Sequence, residues 1–140
     1  MGGAQYPDDF PWSDNVWFVR HLPPEDHSAF YSSSRITLNV TRAPMAEMGW
    51  CPSGRLFEAA ACGTPVLSDT WQGLEDFFLP GEEILLATTH DDVVTAMELS
   101  DAELRSIGRR ARERALDDHT AAHRATELVA LLEGALTVQA

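Results

Sequence analysis

Lysine is absent from this chain: all ten basic residues are arginine, set against 22 acids, for a formal net charge of −12. A surface this acidic does not gather nucleic-acid backbone or anionic lipid headgroups, so neither is an expected partner. It does leave room for a local arginine site that takes a phosphate. With so much alanine and arginine present, the missing lysine reads as a compositional bias of the source. Cysteine is scarce too, with only Cys51 and Cys62. They form no CxxC, and no set of His and Cys has zinc spacing. A disulfide would tie a loop to the end of a short helix; free thiols of a reducing cytosol are the expected state. There is no G-x-G-x-x-G, which counts against a dinucleotide binder. No secretory leader and no apolar run of membrane-crossing length is read, so the cytoplasm is the expected location. Internal repeats and low-complexity tracts are also missing.

What is present is an ordinary globular composition, 44% apolar and 23% charged over 140 residues. That bounds the chain to one domain with a real core. Residues 1–14, rich in Gly, Pro and Asp, read as an N-terminal loop. Asn15 to Leu22 is an apolar, β-favouring run and predicts a strand. Pro23-Pro24-Glu25-Asp26 then starts a short helix to about Ser33, with Ala29, Phe30 and Ser33 inward. Arg35 to Val40 predicts a second strand. Ala43 to Pro52 reads as a loop carrying Met45, Met48 and Trp50, either a lid or base-stacking surface or simple packing. After Ser68, Trp71 to Phe78 reads as a short helix, Pro80-Gly81 as a turn and Glu82 to Ala87 as a strand. Helices are predicted over Asp91–Leu99, Asp101–Asp118 and about Thr120–Leu136. Strands alternating with helices give the fold class: α/β, a Rossmann-like parallel sheet of about four strands with flanking helices.

The stretch from Ser53 to Asp69, SGRLFEAAACGTPVLSD, organises the rest. Ser53 can cap a helix, or Pro52 can occupy its first position. Leu56, Phe57, Ala59, Ala60, Ala61 and Cys62 make that helix apolar on most sides, so it is expected to be covered. Gly63 supplies a left-handed stop and Pro65 prevents continuation. Val66, Leu67 and Ser68 then read as a strand in a covered parallel sheet. Gly54, Arg55 and Glu58 form the small polar face. Side chains lean toward the helix N-terminus, so Glu58 points back at Ser53 and Gly54, where free N–H groups and positive dipole make an anion seat. In an α/β sheet that end lies at the ligand edge, so Ser68 and Asp69 are expected to converge there. Asn39, Thr41 and Arg42, at the end of the preceding strand, fall at the same edge. The other reading of Glu58 is a solvated pair with Arg55, and both readings stand at this point.

Two later features carry less. His119 and His123 are four apart and can face together, but no third ligand accompanies them. The arginines of the helix over Asp101–Asp118 mostly face out beside Glu113 and Asp117, a salt-bridged surface. Leu104, Ile107, Ala111 and Leu116 are its expected inner face. The last helix has a stripe at Leu128, Leu131, Leu132 and Leu136.

The ordered blocks HLPPEDHSAFYSSSRITLNVTR, GWCPSGRLFEAAACGTPVLSDTWQGLEDFFLPGEEILL and ARERALDDHTAAHRA resemble the C-terminal, donor-binding domain of GT-B-fold glycosyltransferases. Within that fold they look like the group named for the spore-maturation protein CgeB. The resemblance covers about residues 5 to 130. It implies transfer of a hexose from a nucleoside-diphosphate sugar, with that nucleotide sugar as substrate and no further cofactor or metal. It implies Glu58 as the acid on the donor ribose, Ser53, Gly54 and Arg55 at the diphosphate, and Asn39, Thr41, Arg42 and Asp69 along the cleft. Wider relatives carry a second glutamate eight residues earlier; here that position is Trp50, and Glu47 is three residues too early. So the resemblance names no sugar-contacting acid in this chain. On this reading residues 15–140 are a partial donor-binding domain, inactive alone, whose acceptor half comes from a second chain or domain. A non-catalytic, truncated or partner-dependent nucleotide-sugar module is the alternative.

Overall fold

In the computed structural model residues 9–138 are described, the side chains of the last helix as far as residue 134. The expected loop at the N-terminus falls largely on residues 1–8, outside the described residues. Three short strands form one parallel sheet in the order β1 (Thr37–Asn39), β2 (Val66–Ser68), β3 (Leu85–Leu86). The register pairs Thr37 with Val66, Leu38 with Leu67 and Asn39 with Ser68, then Leu67 with Leu85 and Ser68 with Leu86. Among the described residues six α-helices join and flank the strands: α1 (His27–Ser32), α2 (Ala43–Met48), α3 (Gly54–Ala61), α4 (His90–Glu98), α5 (Asp101–Asp118) and α6 (Ala121–Val138). This is the α/β class expected from the alternation of elements, with three strands where about four were expected.

The local signals explain most boundaries. Ser53 caps α3 by accepting from the Arg55 N–H, and Cys62 ends it before Gly63 turns left-handed at φ +73°. Leu56, Ala59 and Ala60 bury the inner face of α3, against α1 on one side and α5 on the other. Burying the leucine alone is worth roughly 1.5–3 kcal/mol. Thr89 with Asp92 and Ser100 with Glu103 form reciprocal capping boxes at the starts of α4 and α5. Each satisfies two N–H groups that a helix start leaves open. The core gathers Tyr31, Leu56, Val66, Trp71, Leu74, Phe78, Ile84 and Ala111 around β2 and α3. Arginines of α5 face outward but also staple it: Arg112 Nε donates to Ala61 O at 3.0 Å, Arg110 Nε to Glu82 O at 2.7 Å, and Arg114 pairs with Glu83 at 3.1 Å.

Several expectations are corrected. Asn15 to Leu22 forms no strand beyond a single bridge at Val19, and Trp17 is 84% exposed. An apolar run makes a strand only where a neighbouring strand takes its backbone groups. Ala43 to Met48 is a helix, not a loop; Pro44 sits in its first turn, where its missing donor costs nothing. Trp71 to Phe78 holds only one 3-10 turn, Leu74–Asp76, because Gly73 is left-handed at φ +89°. On α1 the buried residue is Tyr31, while Ala29 and Ser33 are exposed. On α5 Leu104, Ile107 and Ala111 are buried as expected, but at the last position Ala115 is buried and Leu116 is 42% exposed. Leu128, Leu131 and Leu132 of α6 stay exposed. No helix among the described residues is long and apolar enough to cross a membrane.

Candidate functional site

β1 leads through α2 into α3, and α3 returns to the sheet at the other end, where Pro65 O accepts from Thr37 N at the start of β1. The N-terminus of α3 therefore lies at the edge where β1 and β2 finish. Two groups of side chains meet there.

The first group closes the strand ends. Asn39, 2% exposed, donates from Nδ2 to Ser68 Oγ at 2.9 Å and to Thr41 Oγ1 at 3.3 Å. Asp69 accepts from the Thr41 N–H at 2.9 Å and from Thr41 Oγ1 at 2.7 Å, and Ser68 Oγ reaches Asp69 Oδ1 at 3.3 Å. The backbone adds Asp69 N to Asn39 O at 3.4 Å. Four of the residues singled out in the sequence are thus brought together, and they mainly satisfy one another. They hold the ends of two strands in register at this edge.

The second group surrounds the start of α3. Arg55 Nη1 donates to Leu38 O at 3.3 Å, tying the helix start to the outer edge of β1. Glu58 leans back as expected: its Oε1 lies 3.9 Å from where a Cβ on Gly54 would stand. Its ionic partner is His27 and not Arg55, with Nδ1 to Oε2 at 3.0 Å. The other ring nitrogen, Nε2, faces Leu22 O at 3.2 Å. Tyr31 completes the group: burial first, and then the Glu58 carboxylate beside it, push its hydroxyl pKa above the ordinary value, while Arg55 pulls the other way. Glu58 remains accessible, with 47% of its side chain exposed. Arg42 precedes α2 and is exposed; its carbonyl accepts from the Met45 and Ala46 N–H groups, and its side chain makes no hydrogen bond or ion pair with the described residues.

His27 and Tyr31 were not anticipated from the sequence. Their spacing of four on one helix was a usable signal, since it places both on one face. The His119–His123 pair goes elsewhere. His119 Nε2 donates to Phe77 O at 2.9 Å among Phe57, Phe77 and Phe78, and His123 Nδ1 meets Thr120 Oγ1 at 2.7 Å. Among the described residues no group of three or more His, Cys, Asp or Glu is placed to hold a metal ion. Both cysteines are free thiols.

A parallel sheet whose strand ends face a capped helix start, with an arginine and a carboxylate on its first turn and a half, is the architecture of a glycosyltransferase-like α/β domain. The chain belongs to the glycosyl transferase-like family, which it matches over residues 1–130. Among solved structures it is similar to a sucrose-phosphate synthase from Thermosynechococcus elongatus, with a TM-score of 0.71 and 23% sequence identity. That match covers 89% of this chain and 31% of the other, so the chain spans less than a third of the length of that relative. The likeness establishes the GT-B-like fold expected from the sequence blocks. Among curated proteins, none matches the chain.

Proposed function

We propose that residues 15–140 form the donor-binding part of a cytoplasmic hexosyltransferase of the CgeB-like group, holding a nucleoside-diphosphate sugar. The observation that carries this reading is the common edge: α3 begins where β1 and β2 end, with Ser53, Gly54, Arg55 and Glu58 on that end. Backbone N–H groups and dipole at the helix start suit a diphosphate. Glu58 suits a ribose diol, since a carboxylate accepts from two hydroxyls. Arg42, whose side chain has no partner among the described residues, and Arg55 supply charge to a departing diphosphate. Asn39, Thr41 and Asp69 shape the floor of the cleft. Acceptor binding and the general base belong to another domain or chain.

Calorimetric titration of the folded chain with UDP, GDP and TDP tests the donor site. Binding of at least one is expected, and silence toward all three removes the proposal. Glu58→Ala is expected to weaken binding roughly ten- to a hundredfold, the loss of hydrogen bonds to a charged acceptor. Unchanged binding would remove its ribose role. Hexosyl transfer by the 140 residues alone would overturn the assignment of the acceptor half to another domain or chain.

A further inference from the structure

A glutamate side chain turns about three bonds, and that of Glu58 is 47% exposed, so burial does not fix its carboxylate. Its neighbour on the same helix is engaged elsewhere, with Arg55 Nη1 turned to Leu38 O at 3.3 Å. The hold comes from α1. His27, the first residue of that helix, sets Nδ1 3.0 Å from Glu58 Oε2. The imidazole is itself fixed on two further sides. Its Nε2 lies 3.2 Å from Leu22 O, and the ring meets Tyr31 in a T-shaped contact with centroids 6.1 Å apart. Tyr31 is 6% exposed and belongs to the core, so the imidazole leans on a buried wall. Support therefore runs from the core, through His27, to a carboxylate that stands half in solvent.

We propose that His27 is a positioning residue for the donor ribose: it holds the Glu58 carboxylate in the pose that accepts the ribose hydroxyls. This rests on the donor reading above and extends it. His27 acts through Glu58 and does not itself touch the donor. A free glutamate loses rotamer freedom when a ligand fixes it; a held one has lost that freedom on folding, and binding is tighter by the difference. The hold does not exclude the ligand. A carboxylate offers about four acceptor sites over its two oxygens, and His27 takes one of them on Oε2. Oε1 leans toward the start of α3, 3.9 Å from where a Cβ on Gly54 would stand. The remaining sites suffice for two hydroxyls.

The test titrates UDP, GDP and TDP, each beside the counterpart that lacks hydroxyls at both C2′ and C3′. Wild-type protein is expected to favour the hydroxylated form of the diphosphate it binds by roughly tenfold or more. His27→Ala and His27→Phe are expected to cut that preference roughly three- to tenfold, with affinity for the dideoxy form unchanged. Phe keeps a ring against Tyr31 but offers no donor. His27→Asn has no ring but places a donor near the position of Nδ1, and it is expected to retain the preference. A preference that survives in Phe and is lost in Asn makes His27 a packing residue and overturns the proposal. So does a preference equal to or above the wild-type value in both Ala and Phe, which would show the Tyr31 hydroxyl sufficient to hold Glu58, or His27 a competitor for it. Equal weakening of hydroxylated and dideoxy forms overturns it too. In all three cases the donor site stands. A wild type that does not distinguish the two forms removes the ribose role of Glu58 and the positioning role with it, and no diphosphate binding at all removes the donor site. Circular dichroism checks the fold of each variant first; should His27→Ala unfold, the Phe and Asn variants decide between hold and packing by themselves.

Discussion

Gly108→Ala is expected to destabilise this protein, although it sits in the middle of a helix. In an exposed helix the change gains about 1 kcal/mol, because glycine loses more backbone freedom on folding than alanine. At Gly108 the neighbour decides otherwise. α5 crosses the turn that ends α3, and an added Cβ would overlap Gly63 O and stand 2.9 Å from Gly63 C and 3.2 Å from Pro65 Cδ. The nearest atoms are backbone, and Gly63 cannot move freely because it holds a left-handed φ of +73°. Ordinary contact requires α5 to retreat by about 1 Å, and such overpacking in a close-packed interior costs roughly 1–3 kcal/mol. The retreat also lengthens the Arg112 Nε to Ala61 O bond, now 3.0 Å, which crosses the same contact. Weakening that bond costs roughly another 1 kcal/mol, which offsets the propensity gain and leaves a net loss of about 1–3 kcal/mol. With a mid-range urea slope of about 2 kcal/mol/M, the midpoint falls by about 0.5–1.5 M. Helical circular dichroism through a urea titration reads this directly. Gly134→Ala in α6, where a Cβ meets nothing within 4 Å, is the control and is expected to be neutral or stabilising. A Gly108→Ala protein as stable as the wild type, or more so, would refute the close approach of α5 to the α3 turn.

Three further outcomes are expected. Asp69→Ala strips the Thr41 N–H and hydroxyl of their acceptor and should cost about 1–3 kcal/mol in thermal unfolding, with Asp69→Asn intermediate; an alanine variant of wild-type stability would show that the strand ends do not need this staple. Thr64, buried at 3% exposure, donates to Tyr31 O at 2.7 Å, so Thr64→Val should lose about 1–2 kcal/mol and loosen α1 from the α3 turn; equal urea midpoints would contradict this. Asp92 accepts from the N–H groups of Thr88 and Thr89, which lowers its carboxyl from 3.8 to about 2. The folded state therefore favours the carboxylate, and its contribution is full above pH 3.8 and lost as pH falls toward 2. Asp92→Asn should flatten the decline of the urea midpoint in that window; parallel pH curves for the two proteins would refute the cap.

The parts legible in advance were those that a few neighbouring residues decide. The α5 boundaries, Asp101–Asp118, follow from Ser100 and Glu103 satisfying each other's backbone. The α3–β2 unit follows from a serine cap, a glycine stop and an apolar run. The convergence of Asn39, Thr41, Ser68 and Asp69 follows from the polarity of a parallel sheet alone, since equivalent strand ends share an edge. Even the lean of Glu58 toward Gly54 is a property of helix geometry.

Tertiary structure decided the rest, because the deciding partners are distant in the chain. Nothing between Asn15 and Leu22 tells which segment its backbone groups will meet, and among the described residues no strand runs beside it. On α5 the buried face runs Leu104, Ile107, Ala111 and Ala115, so packing took the small Ala115, four residues after Ala111, and left the more apolar Leu116 outside. Glu58 had two readings on pattern, a ligand seat or a pair with Arg55. Packing α1 onto α3 gave a third answer, by bringing His27 from 31 residues away to its carboxylate. Trp50 is the clearest case. Its identity was visible from the start, but its positive φ of +44°, the close approach of its ring to Gly73 and the bond from its Nε1 to Asp76 arise only when two loops meet.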